Sequence, residues 1–228
     1  MTKKKVCKPF FIFNPKSYLY GEELLKLAEK ADELADNKNI SIFVTAPFAD
    51  ISAISQKTKN IIVTAQHLDS LYPGRGMGHV LPESIANAGA KAAFLNHAER
   101  PLILSELAKA IEHACKLDLL TIVCADSLTE AKAIAQLNPD IILCEPTDLI
   151  GTGQTSDNDY VIKTNQVIRD INPDILVMQA SGISSANDVF NVISLGADGT
   201  GCTSGIIKAE IPEKMLEDMV SAALEAAE

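Results

Sequence analysis

The sequence predicts a single α/β domain, a (β/α)8 barrel over residues 1–228, and three observations support this. Eight short runs rich in β-branched, aromatic and other apolar residues recur at intervals of roughly thirty residues, the length of one strand–helix unit. Several runs are continuously apolar, as strands of a parallel sheet buried on both faces are. The segments between them show helical periodicity and helix-start residues.

The eight predicted strands are, in order, FFIFN from residue 10, ISIFV from 40, IIVTA from 61, KAAFLN from 91, LLTIVCA from 119, IILCE from 141, ILVMQ from 175 and GTGCT from 199. Five segments between or after them have a helical pattern: GEELLKLAEKADELAD, SELAKAIEHACK, SLTEAKAIAQL, SANDVFNVISLG and PEKMLEDMVSAALEAAE. An open, doubly wound sheet is the alternative, but a dinucleotide-binding sheet carries G-x-G-x-x-G after its first strand, and here NPKSY follows. The barrel is therefore favoured, with compact connections because 228 residues is slightly short for it.

Composition and charge restrict the partners. The formal net charge is −10 and the pI is near 4.9, so the surface repels nucleic-acid phosphates and anionic lipids. We therefore expect no nucleic-acid partner and no membrane partner. The apolar stretch VCKPFFIF is too short for a signal segment or a membrane span, so we expect a cytoplasmic protein. The five cysteines are odd in number and lack C-x-x-C spacing, which predicts mostly buried, reduced thiols rather than disulfides or zinc ligands.

Polar residues at the carboxyl ends of the strands are the candidate site residues, because active sites of such barrels lie at that face. They are Asn14 and Lys16 after the first strand, Asn96, His97, Glu99 and Arg100 after the fourth, and Glu145 at the end of the sixth. Loops of small residues, IGTG, SGISS and TSG, follow the last three strands. Each feature also has a structural explanation: Asn14-Pro15 is a common turn dipeptide, Glu145 could hold a lysine, and glycine-rich loops make tight connections.

Seven segments together resemble one family. FNPKSY, AQH, GHVLPESIANAGA, NHAER, EPTDLIGTG, SGISSANDV and TSGIIKA occur in the order and spacing of the triosephosphate isomerase family, particularly its short, archaeal-like branch. The resemblance covers nearly the whole chain. It implies an aldose–ketose isomerase of glycolysis and gluconeogenesis that uses no cofactor and no metal, acts on a small phosphorylated sugar and assembles as a homodimer or homotetramer.

The resemblance also implies a role for each candidate residue. Glu145 would be the base that moves a proton between C1 and C2, His97 would polarise the carbonyl, and Lys16 would stabilise the enediolate and the phosphate. Asn14 would hydrogen-bond the substrate oxygens, Glu99 would orient Lys16, and residues 146–153 would form a lid. Because the net charge offers no basic patch, the phosphate contacts would come from local groups, backbone N–H groups above all, at Gly151, Ser181, Gly182, Thr203 and Ser204.

Four positions depart from the family pattern. Ala98 stands where a serine is usual and Pro101 where a basic or polar residue is usual, while Met77 in GRGMGH replaces a threonine that reaches into the neighbouring subunit. Gly201 replaces a large aliphatic residue beside the base, so we expect a roomier and wetter site; the alternative is that a neighbouring side chain, Ile150 or Met178, fills the space and nothing changes. Three alternatives to the triose enzyme therefore stay open: an isomerase of a related sugar phosphate such as a tetrulose phosphate, a Schiff-base phosphosugar lyase, and a non-catalytic phosphosugar-binding barrel.

Overall fold

A computed structural model describes residues 5–36, 39–150, 152 and 155–228. Its strands run parallel, each beside the next in chain order, and close into a barrel where β8 pairs with β1. The strands are β1 Phe10–Phe13, β2 Ser41–Ala46, β3 Ile62–Ala65, β4 Ala92–Leu95, β5 Leu120–Ala125, β6 Ile141–Cys144, β7 Leu176–Gln179 and β8 Gly199–Cys202. All eight predicted strands are present, and the predicted fold class is confirmed.

Helices follow the strands and cover the barrel. They are α1 Gly21–Ala35, α2 Ile51–Lys57, α3 Pro82–Ala88, α4 Leu104–Lys116, α5 Leu128–Ala135, α6 Asn158–Ile171, α7 Ala186–Ser194, α8 Ser204–Ile207 and α9 Pro212–Glu225. The five predicted helical segments correspond to α1, α4, α5, α7 and α9. The start of α7 illustrates the local chemistry, because Ser185 Oγ accepts from the Asp188 backbone N at 3.3 Å while the Asp188 carboxylate accepts from the Ser185 backbone N at 2.9 Å.

Strand alternation divides the apolar residues into an interior and an outer layer. The interior contains Phe10, Ile12, Phe43, Ile62, Ala92, Phe94, Leu120, Ile122, Cys124, Ile141, Leu143 and Met178. The outer layer, between strands and helices, includes Phe11 and Phe13 of β1 and Leu24 of α1. Cys144 also lies in the outer layer, because strand alternation turns it toward the helices and away from the side of Glu145.

The inner face of β8 carries no side chains, and its neighbours fill the space. A Cβ atom on Gly199 would lie 2.4 Å from the Phe10 ring, and one on Gly201 would lie 2.7 Å from Met178 Cε and 2.5 Å from the Ile12 carbonyl oxygen. Glycine is required at both positions by this close approach. The expectation of free space at Gly201 is therefore wrong, and the alternative that Met178 fills the space is confirmed, with the β1 backbone lying against the same position.

The predicted burial of the cysteines holds for three of the five. All five cysteines are free thiols; Cys124, Cys144 and Cys202 are buried, whereas Cys7 and Cys115 are exposed. The described part of the chain contains no helix with the length and apolarity to cross a bilayer. Within the same residues, no cluster of three or more His, Cys, Asp or Glu side chains is placed to hold a metal ion.

Candidate active site

A cavity of about 250 Å³ opens at the carboxyl ends of the strands and brings all five predicted catalytic residues together. These are Asn14, Lys16, His97, Glu99 and Glu145. Side chains of the barrel interior form its apolar floor: Ile12, Phe94, Leu143 and Met178. The polar side chains that follow β1, β4 and β6 therefore lie above an apolar floor.

Lys16 is held in an uncommon backbone conformation. Its φ is +49°, in the left-handed region, which costs a non-glycine residue on the order of 1–3 kcal/mol. Its backbone N donates to Asn14 Oδ1 at 3.0 Å, and Gln66 Nε2 donates to its carbonyl oxygen at 2.6 Å. Its Nζ pairs with Glu99 Oε1 at 2.7 Å, so three contacts direct the ammonium group into the cavity.

The loop after β4 fixes His97. Asn96, with φ +56°, donates from Nδ2 to the Cys124 carbonyl at 3.1 Å and accepts from the Leu102 backbone N at 2.9 Å. The backbone N–H of Glu99 then donates to His97 Nδ1 at 3.1 Å. An Nδ1 atom that accepts carries no proton, so the neutral ring has its proton on Nε2.

Electrostatics favours that neutral ring. Burial lowers the pKa of His97, the Lys16 charge lowers it further, and the Glu99 charge opposes them only in part. At neutral pH His97 is therefore an uncharged hydrogen-bond donor through Nε2, which suits it to polarise a carbonyl group.

Glu145 lies directly after β6, where its backbone N donates to the Ala125 carbonyl at 3.0 Å. Burial raises the pKa of its carboxyl group; the Lys16 charge lowers this pKa and the Glu99 charge raises it. Lys16 Nζ is ion-paired with Glu99. The structural alternative, in which Glu145 serves only to hold a lysine, is therefore not supported for Lys16. A buried carboxylate with a raised pKa is a stronger base than an exposed one.

Three of the predicted phosphate residues line the wall near β7 and β8, namely Gly182, Thr203 and Ser204, and α8 begins at Ser204. Gly182 has φ +67°, a conformation that favours glycine. Ser181 is buried and does not line this cavity, and its hydroxyl has no hydrogen-bond partner among the described residues. Gly151 lies outside the described residues.

The predicted lid is described only in part. Thr147–Leu149 form a 3-10 helix and Ile150 lines the cavity, while residues 151 and 153 lie outside the described part. Behind Glu145, a second cavity of about 220 Å³ is lined by Ala98 and Pro101, two of the departures from the family pattern. A third, of about 230 Å³, adjoins Lys16 and includes Thr45, Phe48 and Gln66.

Sequence reasoning assigned no role to two kinds of site residue. Gln66 follows β3 as Asn14 follows β1, so the strand-end criterion would have found it. The floor residues Ile12, Phe94 and Leu143 carried no signal that separates them from ordinary core, and Met178 was considered only as a filler of the space at Gly201.

Comparisons with known proteins agree with this geometry. The profile of the family described as Triosephosphate isomerase matches residues 9–222. The triosephosphate isomerase of Methanobacterium bryantii is 40% identical over 218 residues, covering 93% of this chain and 96% of that protein. That of Sulfolobus acidocaldarius is 36% identical over 225 residues (96% and 97%), and that of Methanocaldococcus jannaschii 35% identical over 214 residues (92% and 97%). Because the family profile and these relatives match most of its length, the chain belongs to the triosephosphate isomerase family, in its short, archaeal-like branch.

Proposed function

We propose that this protein interconverts glyceraldehyde 3-phosphate and dihydroxyacetone phosphate through an enediolate. The observation that carries the proposal is the meeting of Glu145, His97 and Lys16 in one cavity, with a carboxyl pKa that is raised and an imidazole pKa that is lowered. The relatives named triosephosphate isomerase support it.

The chemistry follows from these protonation states. The Glu145 carboxylate removes the proton from the carbon beside the carbonyl, and the C–H electron pair becomes the C=C bond of the enediolate. His97 Nε2–H donates to the carbonyl oxygen as negative charge develops there, and the Lys16 ammonium stabilises the same charge. The former carbonyl oxygen takes up a proton from His97 Nε2, and the hydroxyl on the neighbouring carbon gives its proton back to that nitrogen, so the two oxygens exchange roles. Glu145 then returns the carbon-bound proton to the neighbouring carbon, so no redox partner is needed.

Two residues support this set. Asn14 Oδ1 already accepts from the Lys16 backbone, which directs its Nδ2 to the substrate oxygens in our proposal. Glu99 holds Lys16 Nζ at 2.7 Å, and because Glu99 is 64% exposed the contact acts mainly on position rather than on stability.

The phosphate group would lie near Gly182, Thr203 and Ser204, with Gly151 and Ser181 as the further contacts expected from the family resemblance. The protein has a formal net charge of −10, so the dianion must be bound by local dipoles rather than by a basic surface. Backbone N–H groups at a loop of small residues provide such dipoles.

The other two classes of function receive less support. A Schiff-base lyase needs a lysine free to attack a carbonyl, and Lys16, the lysine among the described residues that line the cavity, forms an ion pair with Glu99. A non-catalytic barrel has no use for a buried carboxylate of raised pKa beside a neutral histidine.

The test is a coupled isomerase assay with glyceraldehyde 3-phosphate, beside erythrose 4-phosphate and erythrulose 4-phosphate, in the presence of a metal chelator. We expect turnover of the triose phosphate without added cofactor. Glu145→Gln purified in parallel is the control, because it reveals any isomerase carried over from the expression host. Absence of turnover above this control for the triose phosphate would contradict the proposal.

We also infer an assembly of at least two copies, a homodimer or homotetramer. The support is Met77, a fully exposed apolar side chain in a loop whose ends are tied by Asp69. The Asp69 backbone N donates to the Val80 carbonyl at 2.9 Å, and the Val80 backbone N donates to Asp69 Oδ2 at 2.6 Å. An exposed methionine on a tied loop suits a contact with another copy, and the cavity beside Lys16 and Phe48 is its proposed receptor. A cytoplasmic location stays a prediction from composition.

A further inference from the structure

Two residues meet in the floor of the active-site cavity: Met178 on β7, which has a long side chain, and Gly201 on β8, which has none. In the strand ladder Met178 is the partner of Gly199. Its Cε nevertheless reaches the space beside Gly201, two residues nearer the carboxyl end of β8, at 2.7 Å from where a Cβ would stand. The side chain of Met178 therefore rises toward the catalytic groups.

The two glycines of β8 are covered in different ways. Above Gly199 lies the Phe10 ring, which is fully buried and packs edge-on against Phe43 with ring centroids 5.7 Å apart. Above Gly201 lies the thioether of Met178, which is buried but lines the cavity. The Phe10 ring is enclosed by its neighbours and has few rotatable bonds, whereas an unbranched methionine has three and adapts to irregular spaces.

We propose that Met178 is a specificity-determining residue, whose terminal methyl group forms a movable part of the cavity floor and sets the carbon-chain length of the sugar phosphate that fits. With the methyl group beside Gly201 the floor is closed and a three-carbon phosphate fits. Rotation of the thioether away from Gly201 frees room for about one more carbon. The inference rests on the proposed function, because it concerns the substrate of that same site.

The backbone explains why the adjustable group is on β7. A side chain rooted at Gly201 would have its Cβ 2.5 Å from the Ile12 carbonyl oxygen, and that carbonyl belongs to β1, the neighbour of β8 in the closed barrel. The floor on this side can therefore be built only by a side chain from a neighbouring strand. Leu143 of β6 and Ile12 of β1 are branched at or near the backbone and have fewer ways to withdraw.

The first experiment compares kcat/KM for glyceraldehyde 3-phosphate and erythrose 4-phosphate in wild type and Met178→Ala. One methylene in an apolar pocket is worth about 10–200-fold, so removal of the thioether is expected to shift the ratio toward the four-carbon substrate by at least about tenfold. Met219→Ala is the matched control: Met219 is equally buried, but in α9 within the outer layer. An unchanged ratio in Met178→Ala, or the same shift in Met219→Ala, overturns the proposal.

A second measurement needs neither turnover nor a cavity-forming variant. The chain contains five methionines, so ¹³C labelling of their methyl groups gives a simple spectrum in which Met178→Leu assigns the Met178 signal. Wild type is titrated with glycerol 3-phosphate and with erythritol 4-phosphate, which carry no carbonyl and do not react. We expect the four-carbon ligand to shift the Met178 methyl signal more than the three-carbon ligand does, with the Met219 signal unmoved.

Equal shifts of the Met178 signal with the two ligands overturn the movable floor. The outcome is separate from the test of the proposed function, because a wild type that does not isomerise the triose phosphate would contradict that function while the methyl spectrum still reports on the floor.

Discussion

The backbone N–H of Glu99 donates to Nδ1 of His97 at 3.1 Å, so the loop that carries the histidine also fixes its tautomer. The proton of the neutral ring is left on Nε2, where it can serve a carbonyl oxygen. Burial and the Lys16 charge keep the ring neutral, since both lower its pKa.

The first prediction is that His97 is an Nε2–H imidazole with a pKa below the ordinary 6.5. Lys16→Met removes a charge that lowers this pKa and should raise it; Glu99→Gln removes a charge that raises it and should lower it. Nitrogen and carbon NMR of the ring as a function of pH measures both tautomer and pKa. Glu99→Gln keeps the backbone N–H, so the tautomer should survive in it. An Nδ1–H ring, or shifts of the same sign in the two variants, would contradict this account.

The second prediction is that Glu145→Gln folds but loses isomerase turnover by about a thousandfold or more, because a positioned base contributes on the order of 10²–10⁴. The amide keeps the shape of the side chain and removes the basic oxygen. Steady-state kinetics measures the loss, and Glu112→Gln, on the exposed face of α4, is the control that should retain full activity. Activity of Glu145→Gln within tenfold of wild type would remove Glu145 from the role of base.

The third prediction uses the same variant to measure what the raised pKa costs in stability. A carboxyl group whose folded pKa lies above its unfolded pKa destabilises the fold at pH values above the folded pKa, and this effect disappears as the pH falls below the ordinary value of 4.5. Glu145→Gln should therefore be more stable than wild type at about pH 7.5, and the difference should shrink on acidification. Urea unfolding at several pH values tests the sign. A stability gain that grows as the pH falls would show that burial is not the dominant influence on Glu145.

The fourth prediction concerns Met77. Wild type should have a mass that is a multiple of 24.4 kDa, and Met77→Glu should shift it toward the single chain, because a charge replaces the fully exposed apolar side chain. Light scattering at micromolar concentration measures the mass. Ile162→Glu, which places a charge on a half-exposed apolar side chain of α6, should leave the assembly intact. A wild-type mass near 24.4 kDa would refute the assembly.

The fold could be predicted because its strands are buried on both faces. FFIF and IILC are wholly apolar, and IVTA contains a single polar residue, the buried Thr64; each strand was recognised from composition and spacing. Helices with long amphipathic patterns, such as α1 and α4, were equally clear. The seven-residue α2 and α3 and the four-residue α8 were not, because so few turns of helix give too few residues for a period to show. The 14-residue α6 was also missed, since its polar residues outnumber its apolar ones.

The polar half of the site could be predicted for a similar reason, since a charge such as Glu145 after an apolar strand needs an explanation. The contacts that give these residues their properties could not be predicted, because they join residues far apart in the sequence. Gln66 acts on the carbonyl of Lys16, fifty residues away in sequence. Met178 could be named from the sequence only as one of two side chains able to fill the space at Gly201, and the structure is needed to show that its methyl group and the Ile12 carbonyl meet there.

The last prediction concerns Gly201, where the family resemblance suggests that a leucine would restore the common pattern. The structure indicates otherwise, because a Cβ there meets two atoms of different kinds, the flexible Met178 Cε at 2.7 Å and the Ile12 carbonyl oxygen at 2.5 Å. Gly201→Ala should lower the free energy of unfolding by roughly 1–3 kcal/mol, as overpacking does.

In a Met178→Ala background this loss should become smaller, since one obstacle is gone, but it should not vanish, because the carbonyl is fixed in the β1–β8 ladder. Gly199→Ala is the control: its Cβ would meet the Phe10 ring at 2.4 Å, so Met178→Ala should not relieve it. Urea unfolding of the double-mutant cycle measures the coupling. Strict additivity of Gly201→Ala and Met178→Ala would mean that Met178 does not fill the space at Gly201, and it would return Gly201 to the role that the sequence first suggested, a source of free room beside the base. Complete rescue would mean that Met178 is the whole obstacle and that the Ile12 carbonyl yields to a Cβ, which would contradict the expected residual loss.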